Sequence, residues 1–293
     1  AIADLKEDLL NETADRYGVP GRYTNYHEML QKEAMDAVYV IMPPMGLKPI
    51  VLDVIAAGKH VFTEKPAGMN TQETAEMAAA AEQAGVKSAV GCNRRYSHVL
   101  RKAKEEVLKC GPVSEVMAEF HKDMKGAKYG MSILHCDGLH VLDAMRDILG
   151  EVESVHAHAD RWYAKEGWED SYNRFSALIR FQNGGSGIFT VNRQCGARYE
   201  RFELHGDGIS AYVRAPDKVE VFRTGTPEPE VYTGDQLAES GEPLHAYGYF
   251  VESREFIDCI KNDTVPLTNL SDNVRTMQLC DMINAGSHVD MTR

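Results

Sequence analysis

The chain has 293 residues, room for two domains, and its 32 Lys and Arg against 44 Asp and Glu leave a formal charge of −12. That acidity argues against nucleic acid as a partner, since phosphate binding needs a basic surface, and reads instead as the surface of a cytoplasmic protein. Hydrophobic residues make up 43% and charged residues 26%, and no run of about 18 apolar residues exists, so no membrane span is expected.

The opening AIADLKEDLL is acidic and lacks the basic flank of a signal peptide. Cys92, Cys110, Cys136, Cys195, Cys259 and Cys280 are scattered, with no CxxC pair. They are expected as reduced thiols.

The first third alternates short apolar strands with amphipathic helices. AIAD reads as the end of a strand, and KEDLLNETADRYG as a helix closed by Gly18. YHEMLQKE is a short helix. DAVYVIMPP is a buried strand, β-branched and aromatic, stopped by two prolines. GLKPIVLDVIAAG is the next helix and KHVFTEK the next strand. NTQETAEMAAAAEQAG is a helix with Asn70 and Glu73 spaced as in a capping box, and VKSAVGCN is a strand. Strands that alternate with crossover helices imply a parallel sheet with helices on both faces.

The pattern changes after Gly111-Pro112. VSEVMAEFHKDM, SVHAHADRWY, SYNRFSALIRFQNGGSGIFTVNRQ, RFELHGDGISAYVRA and KVEVFRT alternate with period two, and Asn183-Gly184-Gly185 marks a hairpin. They read as a mostly antiparallel sheet with one solvated face. The helix LHVLDAMRDILG precedes most of them, and YFVESREFIDCIKN and DNVRTMQLCDMINAG follow. RTGTPEPEVYTGDQLAESGEP has the composition of a mobile loop. The expected fold is therefore α/β: a doubly wound domain over residues 1–111, then an α+β domain with an open-faced sheet over residues 112–293.

In open parallel sheets, ligands bind beyond the carboxyl ends of the strands. MPP (Pro43, Pro44), EKP (Glu64, Lys65, Pro66) and CNRRY (Asn93, Arg94, Arg95, Tyr96) each follow a strand and should gather on one rim. The plainer reading of each is a simple turn or a surface ion pair. Three along one edge favour a cleft.

With these residues in place, the chain resembles the Gfo/Idh/MocA family of oxidoreductases. The likeness lies in DAVYVIMPP, AGKHVFTEKPAG, AAEQAGVKSAVGCNRRY, DGLHVLDAMRDILG and EFIDCIKN, in that order. It implies a Rossmann domain followed by an open-faced sheet. It also implies NAD(P)-dependent hydride transfer at a hydroxyl-bearing carbon of a sugar, cyclitol or related polyol. Some relatives use bound NAD in a redox-neutral glycosidase reaction, and a non-catalytic ligand-binding relative is a third reading. The GxGxxG loop with which the family opens is not in this sequence. NGGSG and HGDG precede no suitable helix. The chain reads as starting at the second Rossmann strand, one unit of roughly 25–30 residues late. Either it is a fragment or the loop is lost, and with it the helix N-terminus that would neutralise a pyrophosphate.

The resemblance also assigns residues. Asp4 would accept hydrogen bonds from the adenosine ribose, which favours NAD while leaving NADP possible; its plainer reading is a helix N-cap. Pro43, Pro44, Glu64, Lys65, Asn93 and Arg94 would line the cofactor. Lys65, presented by Pro66 through a cis peptide, would meet the reacting oxygen. His140 would be the general acid/base and Asp137 its partner or a ligand for a substrate hydroxyl. Arg95, Tyr96 and His121 would contact substrate, one of Arg94 and Arg95 being a structural ion pair. Arg193 could reach the cleft. His135, Cys136, Asp137 and His140 crowd together, but the two histidines do not share a helix face and no second ligand cluster accompanies them, so no metal is expected. A homo-oligomer built through the open sheet face is expected, because broad apolar faces rarely stay bare.

Overall fold

The computed structural model describes residues 1–163, 166–169 and 171–286. Its first part runs β1 (Ile2–Ala3), α1 (Glu7–Tyr17), β2 (Arg22–Tyr23), α2 (Tyr26–Lys32), β3 (Ala37–Val40), α3 (Leu47–Ala56), β4 (His60–Thr63), α4 (Thr71–Ala84) and β5 (Ser88–Val90). Helix α1 opens on Glu7 and Asp8, which suit the positive end of its dipole, and closes on Gly18 at φ 64°. Helix α4 is capped by Asn70, whose side chain accepts the Glu73 N–H. The capping box is displaced by one residue: the Glu73 carboxylate reaches back to the Met69 N–H and not to that of Asn70.

All the strands in this part pair in parallel, but in two hydrogen-bonded groups, β1–β2 and β3–β4–β5. No strand among the described residues joins β1 to β3. Strand β4 is buried on both sides, which is why HVFT reads as a continuous apolar run. Val61 packs among Val51, Val54 and Met77, while Phe62 meets Phe256 from far down the chain.

A 3₁₀ turn (Asn93–Tyr96) and helix α5 (His98–Leu108) lead into β6 (Glu115–Asp123). A π-helical turn (Leu134–Gly138) then runs directly into α6 (Leu139–Leu149). The remaining strands are β7 (Val152–Asp160), β8 (Arg174–Phe181), β9 (Ser186–Asn192), β10 (Gln194–Gly206), β11 (Ile209–Arg214), β12 (Lys218–Arg223) and β13 (Glu230–Thr233). They form one eight-stranded sheet, β13-β12-β11-β10-β6-β9-β8-β7, antiparallel except between β6 and β9. The turn at 183–185 closes the β8–β9 hairpin with Gly184 at φ 89°. Val116, Ala118 and Phe120 of β6 face the core with α5 and α6, and Met117, Glu119 and His121 face the open side.

The segment expected as a mobile loop instead contains β13 and helix α7 (Gly234–Ala238), which Thr233 and Gln236 close with a full capping box. Helices α8 (Pro243–Ala246), α9 (Tyr249–Asn262) and α10 (Leu270–Ala285) complete the chain. Helix α9 covers one face of the β3–β4–β5 group through Phe256, and Leu270 at the start of α10 joins the core on the other.

Candidate active site

Strands β3 and β4 are parallel neighbours, so their carboxyl ends share a rim. Pro43-Pro44 and Glu64-Lys65-Pro66 come together there around a pocket of about 350 Å³, with Met124, Lys128, Tyr129, Cys136 and Asp137 on its other walls. The Lys65–Pro66 peptide is cis. Glu64 turns its carboxylate back onto the Lys65 N–H at 3.2 Å.

Across the pocket stands the π-helical turn. Its Cys136 carbonyl accepts from Lys65 Nζ at 2.9 Å. Burial pulls the Lys65 ammonium below its ordinary pKa, and the nearby Asp137 carboxylate opposes that. Asp137 is itself held from two sides. Lys122 Nζ donates to one carboxylate oxygen at 2.8 Å, and the Arg193 guanidinium lies 2.6 Å from the other. Burial raises its pKa, but Arg193 and Lys122 outweigh burial and keep it lowered and ionised. Burial pushes the Cys136 thiol up to about 11, so it is no nucleophile at neutral pH.

His140 opens the first turn of α6 and is buried. Neither ring nitrogen hydrogen-bonds another described residue, and Nδ1 is shut away from solvent. Burial first, then the charges of Lys65, Arg94, Lys122 and Arg198, hold the imidazole neutral, well below its ordinary pKa. His140 does not itself line the pocket; Lys65 and the fixed Asp137 do, with the neutral imidazole buried behind them and close enough to feel the Lys65 charge.

Residues 1–92 match the model of an oxidoreductase family with an NAD-binding Rossmann fold, Gfo/Idh/MocA, and residues 109–212 match a Gfo/Idh/MocA C-terminal domain. The chain belongs to the Gfo/Idh/MocA family. Among its relatives is myo-inositol 2-dehydrogenase of Thermotoga maritima, 26% identical over 95% of this chain and 85% of the relative. Levoglucosan dehydrogenase of Pseudarthrobacter phenanthrenivorans is 23% identical over 84% of this chain and 72% of its own length. An oxidoreductase from Agrobacterium radiobacter, solved with NAD+, L-tartaric acid and magnesium, shares the fold at a TM-score of 0.80 and 19% identity, covering 96% of this chain and 86% of that one.

NAD is the cofactor of this Gfo/Idh/MocA chain; the residues present fit its adenosine and nicotinamide ends, while no glycine-rich loop for its pyrophosphate is among the described residues. Asp4 directly follows β1. Its carboxylate accepts the Lys6 N–H at 2.8 Å in a local turn and retains lone pairs for ribose hydroxyls. It is not the cap of α1, a position taken by Lys6. At the other end of the site, Pro43, Pro44 and Glu64 form a rim of mixed polar and apolar surface.

The third rim segment departs from expectation. Asn93, Arg94, Arg95 and Tyr96 are all buried and none lines the pocket. Asn93 donates to the Tyr247 carbonyl at 2.9 Å. Arg94 forms a two-pronged pair with Glu200 at 2.7 and 2.9 Å. Arg95 is clamped by Asp143, at 2.7 Å on both prongs, and by Asp272 at 2.6 Å. Tyr96 turns to Glu255 on α9. Both arginines, not one, are thus spent on structural ion pairs. His121 is also displaced: it lies on the open face of the sheet, accepting the Asn192 N–H at Nδ1 and meeting Glu119 at 3.1 Å. Its neighbour Lys122, one step along the strand, takes the inward place. The period-two alternation of β6 contained that signal, since Phe120 and Lys122 share a face. Lys128 and Tyr129 were also missed, in a segment with no regular pattern.

Proposed function

We propose that the chain catalyses NAD-dependent hydride transfer at a secondary hydroxyl of a polyol, sugar or cyclitol, with Lys65, His140 and Asp137 as the working side chains. The observation that carries this reading is the uncommitted neutral His140 beside Lys65 and the fixed Asp137. Bound NAD supplies the hydride acceptor, or NADH the donor. Removing a hydride from a carbinol requires the hydroxyl proton to leave as well. A neutral imidazole can take it. The Lys65 ammonium can stabilise the oxygen while its charge develops, and it retains donors beyond the one on Cys136. Asp137, pinned by Lys122 and Arg193, accepts a hydrogen bond from a neighbouring hydroxyl and so orients the ring.

Relatives named for myo-inositol, levoglucosan and D-apiose support this substrate class. The acidic residue at the end of β1 favours NAD over NADP, because a carboxylate repels a 2′-phosphate. The open sheet face presents exposed Leu178, Tyr212 and Phe222, in keeping with a homo-oligomer through that face. No described helix is long and apolar enough to cross a membrane.

The test is NADH formation with myo-inositol, levoglucosan and D-apiose, in the native chain and in Asp137→Asn. Turnover that falls at least tenfold in the variant with NAD affinity unchanged supports the roles given. Equal kcat in the two removes Asp137, and no turnover of any polyol removes the reading.

A further inference from the structure

The charge around the pocket is not balanced, in a chain whose formal charge is −12. On the pocket wall Lys65 and Lys128 stand with Glu64 and Asp137; behind it Lys122 and Arg193 both converge on Asp137, and Arg193 feels Glu200 as well. Lys65 is met by a neutral carbonyl, and Lys122 and Arg193 share the single Asp137 carboxylate. Further back, Arg94 and Arg198 share Glu200, with Arg198 at 3.6 Å and half exposed. The surplus is felt at His140, which those cations help to hold neutral. Oxidised nicotinamide would add another positive charge.

Lys128 lines the pocket and makes no ion pair or side-chain hydrogen bond among the described residues. It heads a tight turn closed by the Met131 N–H on its carbonyl at 3.2 Å. The two central residues, Tyr129 and Gly130, are both left-handed, at φ 60° and 65°. That is the type I′ arrangement, which prefers Asn, Asp or Gly where this chain has tyrosine. A strained turn that sets a free ammonium and a tyrosine on a pocket wall is a feature the surrounding fold must enforce.

We infer that the substrate is an anionic polyol, a sugar acid whose carboxylate is received by Lys128 in this cation-rich pocket. The inference rests on the dehydrogenase reading of the same site. Lys128 is exposed and hydrated in the free protein; a neutral sugar would give it no ion pair, while one carboxylate supplies both an ion pair and an acceptor for charge-assisted hydrogen bonds. The carboxylate lies on the part of the substrate away from the carbon that loses hydride, since Lys65 and His140 serve that carbon.

Calorimetric titration of D-gluconate against D-glucitol, and of D-galacturonate against D-galactose, isolates the carboxylate. Each acid should bind about tenfold or more tightly than its neutral counterpart. The preference should shrink with added salt, disappear in Lys128→Gln and persist in Lys128→Arg. Equal or tighter binding of the neutral compounds, no measurable binding of either acid, or an unchanged preference in Lys128→Gln overturns the inference. So does loss of acid binding in saturating ADP-ribose, which would place the anion in the dinucleotide site. NADH formation measured in parallel separates the two readings. Turnover of neutral polyols without acid binding removes only the carboxylate, and acid binding with no NAD reduction removes the dehydrogenase.

Discussion

Lys65 and Cys136, 71 positions apart, meet through a 2.9 Å hydrogen bond from the lysine ammonium to the cysteine backbone carbonyl. A carbonyl fixes the ammonium without neutralising it. The lysine keeps its charge for an oxygen that becomes negative during reaction.

Replacing Lys65 with Ala should therefore lower kcat by about 10²–10⁴-fold. Lys65→Arg should not restore it, because a planar guanidinium cannot fill the place of a compact ammonium. Circular dichroism and the thermal midpoint should stay close to wild type. A variant with near-native kcat on the native substrate would sink the assignment.

His140 sets an acid limit on stability. Its folded pKa lies well below the ordinary 6.5. The unfolded chain therefore binds more protons than the folded one as pH falls below about 6.5, and stability should fall over that range. Above it, the contribution is fully present. Denaturant titrations from pH 7 down to pH 5 should show a smaller loss in His140→Gln than in the native chain. The same variant should lose far more in kcat than in NAD affinity. Equal acid slopes would mean that His140 titrates normally.

Glu252 on α9 gives the opposite sign. It is buried, and its Oε1 has no partner among the described residues. Burial, then Glu64 and Asp143, push its pKa up to about 9, against the attraction of Arg94 and with Glu255 adding to the push. The folded state keeps a proton that the unfolded state has lost, so stability should decline as pH rises from about 4.5 towards 9. Glu252→Gln should stabilise the protein at pH 8 by about 1–3 kcal/mol, with the gain vanishing near pH 5. No pH dependence of that gain in urea unfolding would show that Glu252 is ionised throughout.

Arg95 should matter to folding and not to substrate. Its guanidinium is closed off by Asp143 and Asp272, and Arg95→Ala strands the buried Asp143 carboxylate, while Asp272 keeps Arg146. The expected cost is about 3–5 kcal/mol in denaturant unfolding. KM measured on the folded fraction should be unchanged. A raised KM with native stability would return Arg95 to the substrate site.

The order of strands and helices was legible because period-two and period-3.6 patterns, Gly18 and the Asn70 cap all act locally. EKP was legible because a strand that ends in charge and proline is odd by itself. The fate of Arg94 and Arg95 was not. A guanidinium's partner can lie anywhere in the chain, and here Glu200 and Asp143 are 106 and 48 positions away. The π-helical turn was invisible for a similar reason. Nothing in LHCDG distinguishes it from the start of an α-helix, and the extra residue is held by contacts made elsewhere.

Phe256 packs against Phe62 and Ala89, and the Leu270 N–H donates to Ser88 Oγ across 182 positions. The layer that carries Lys65 is therefore finished by residues made long after it. A ribosome that has not yet released α9 leaves Phe62 and one face of β4 uncovered, and the rim of the site has no backing until α9 returns. Until α9 and α10 emerge, such a nascent chain presents apolar surface of the kind that chaperones bind. Folding waits on long-range closure more than on any local element.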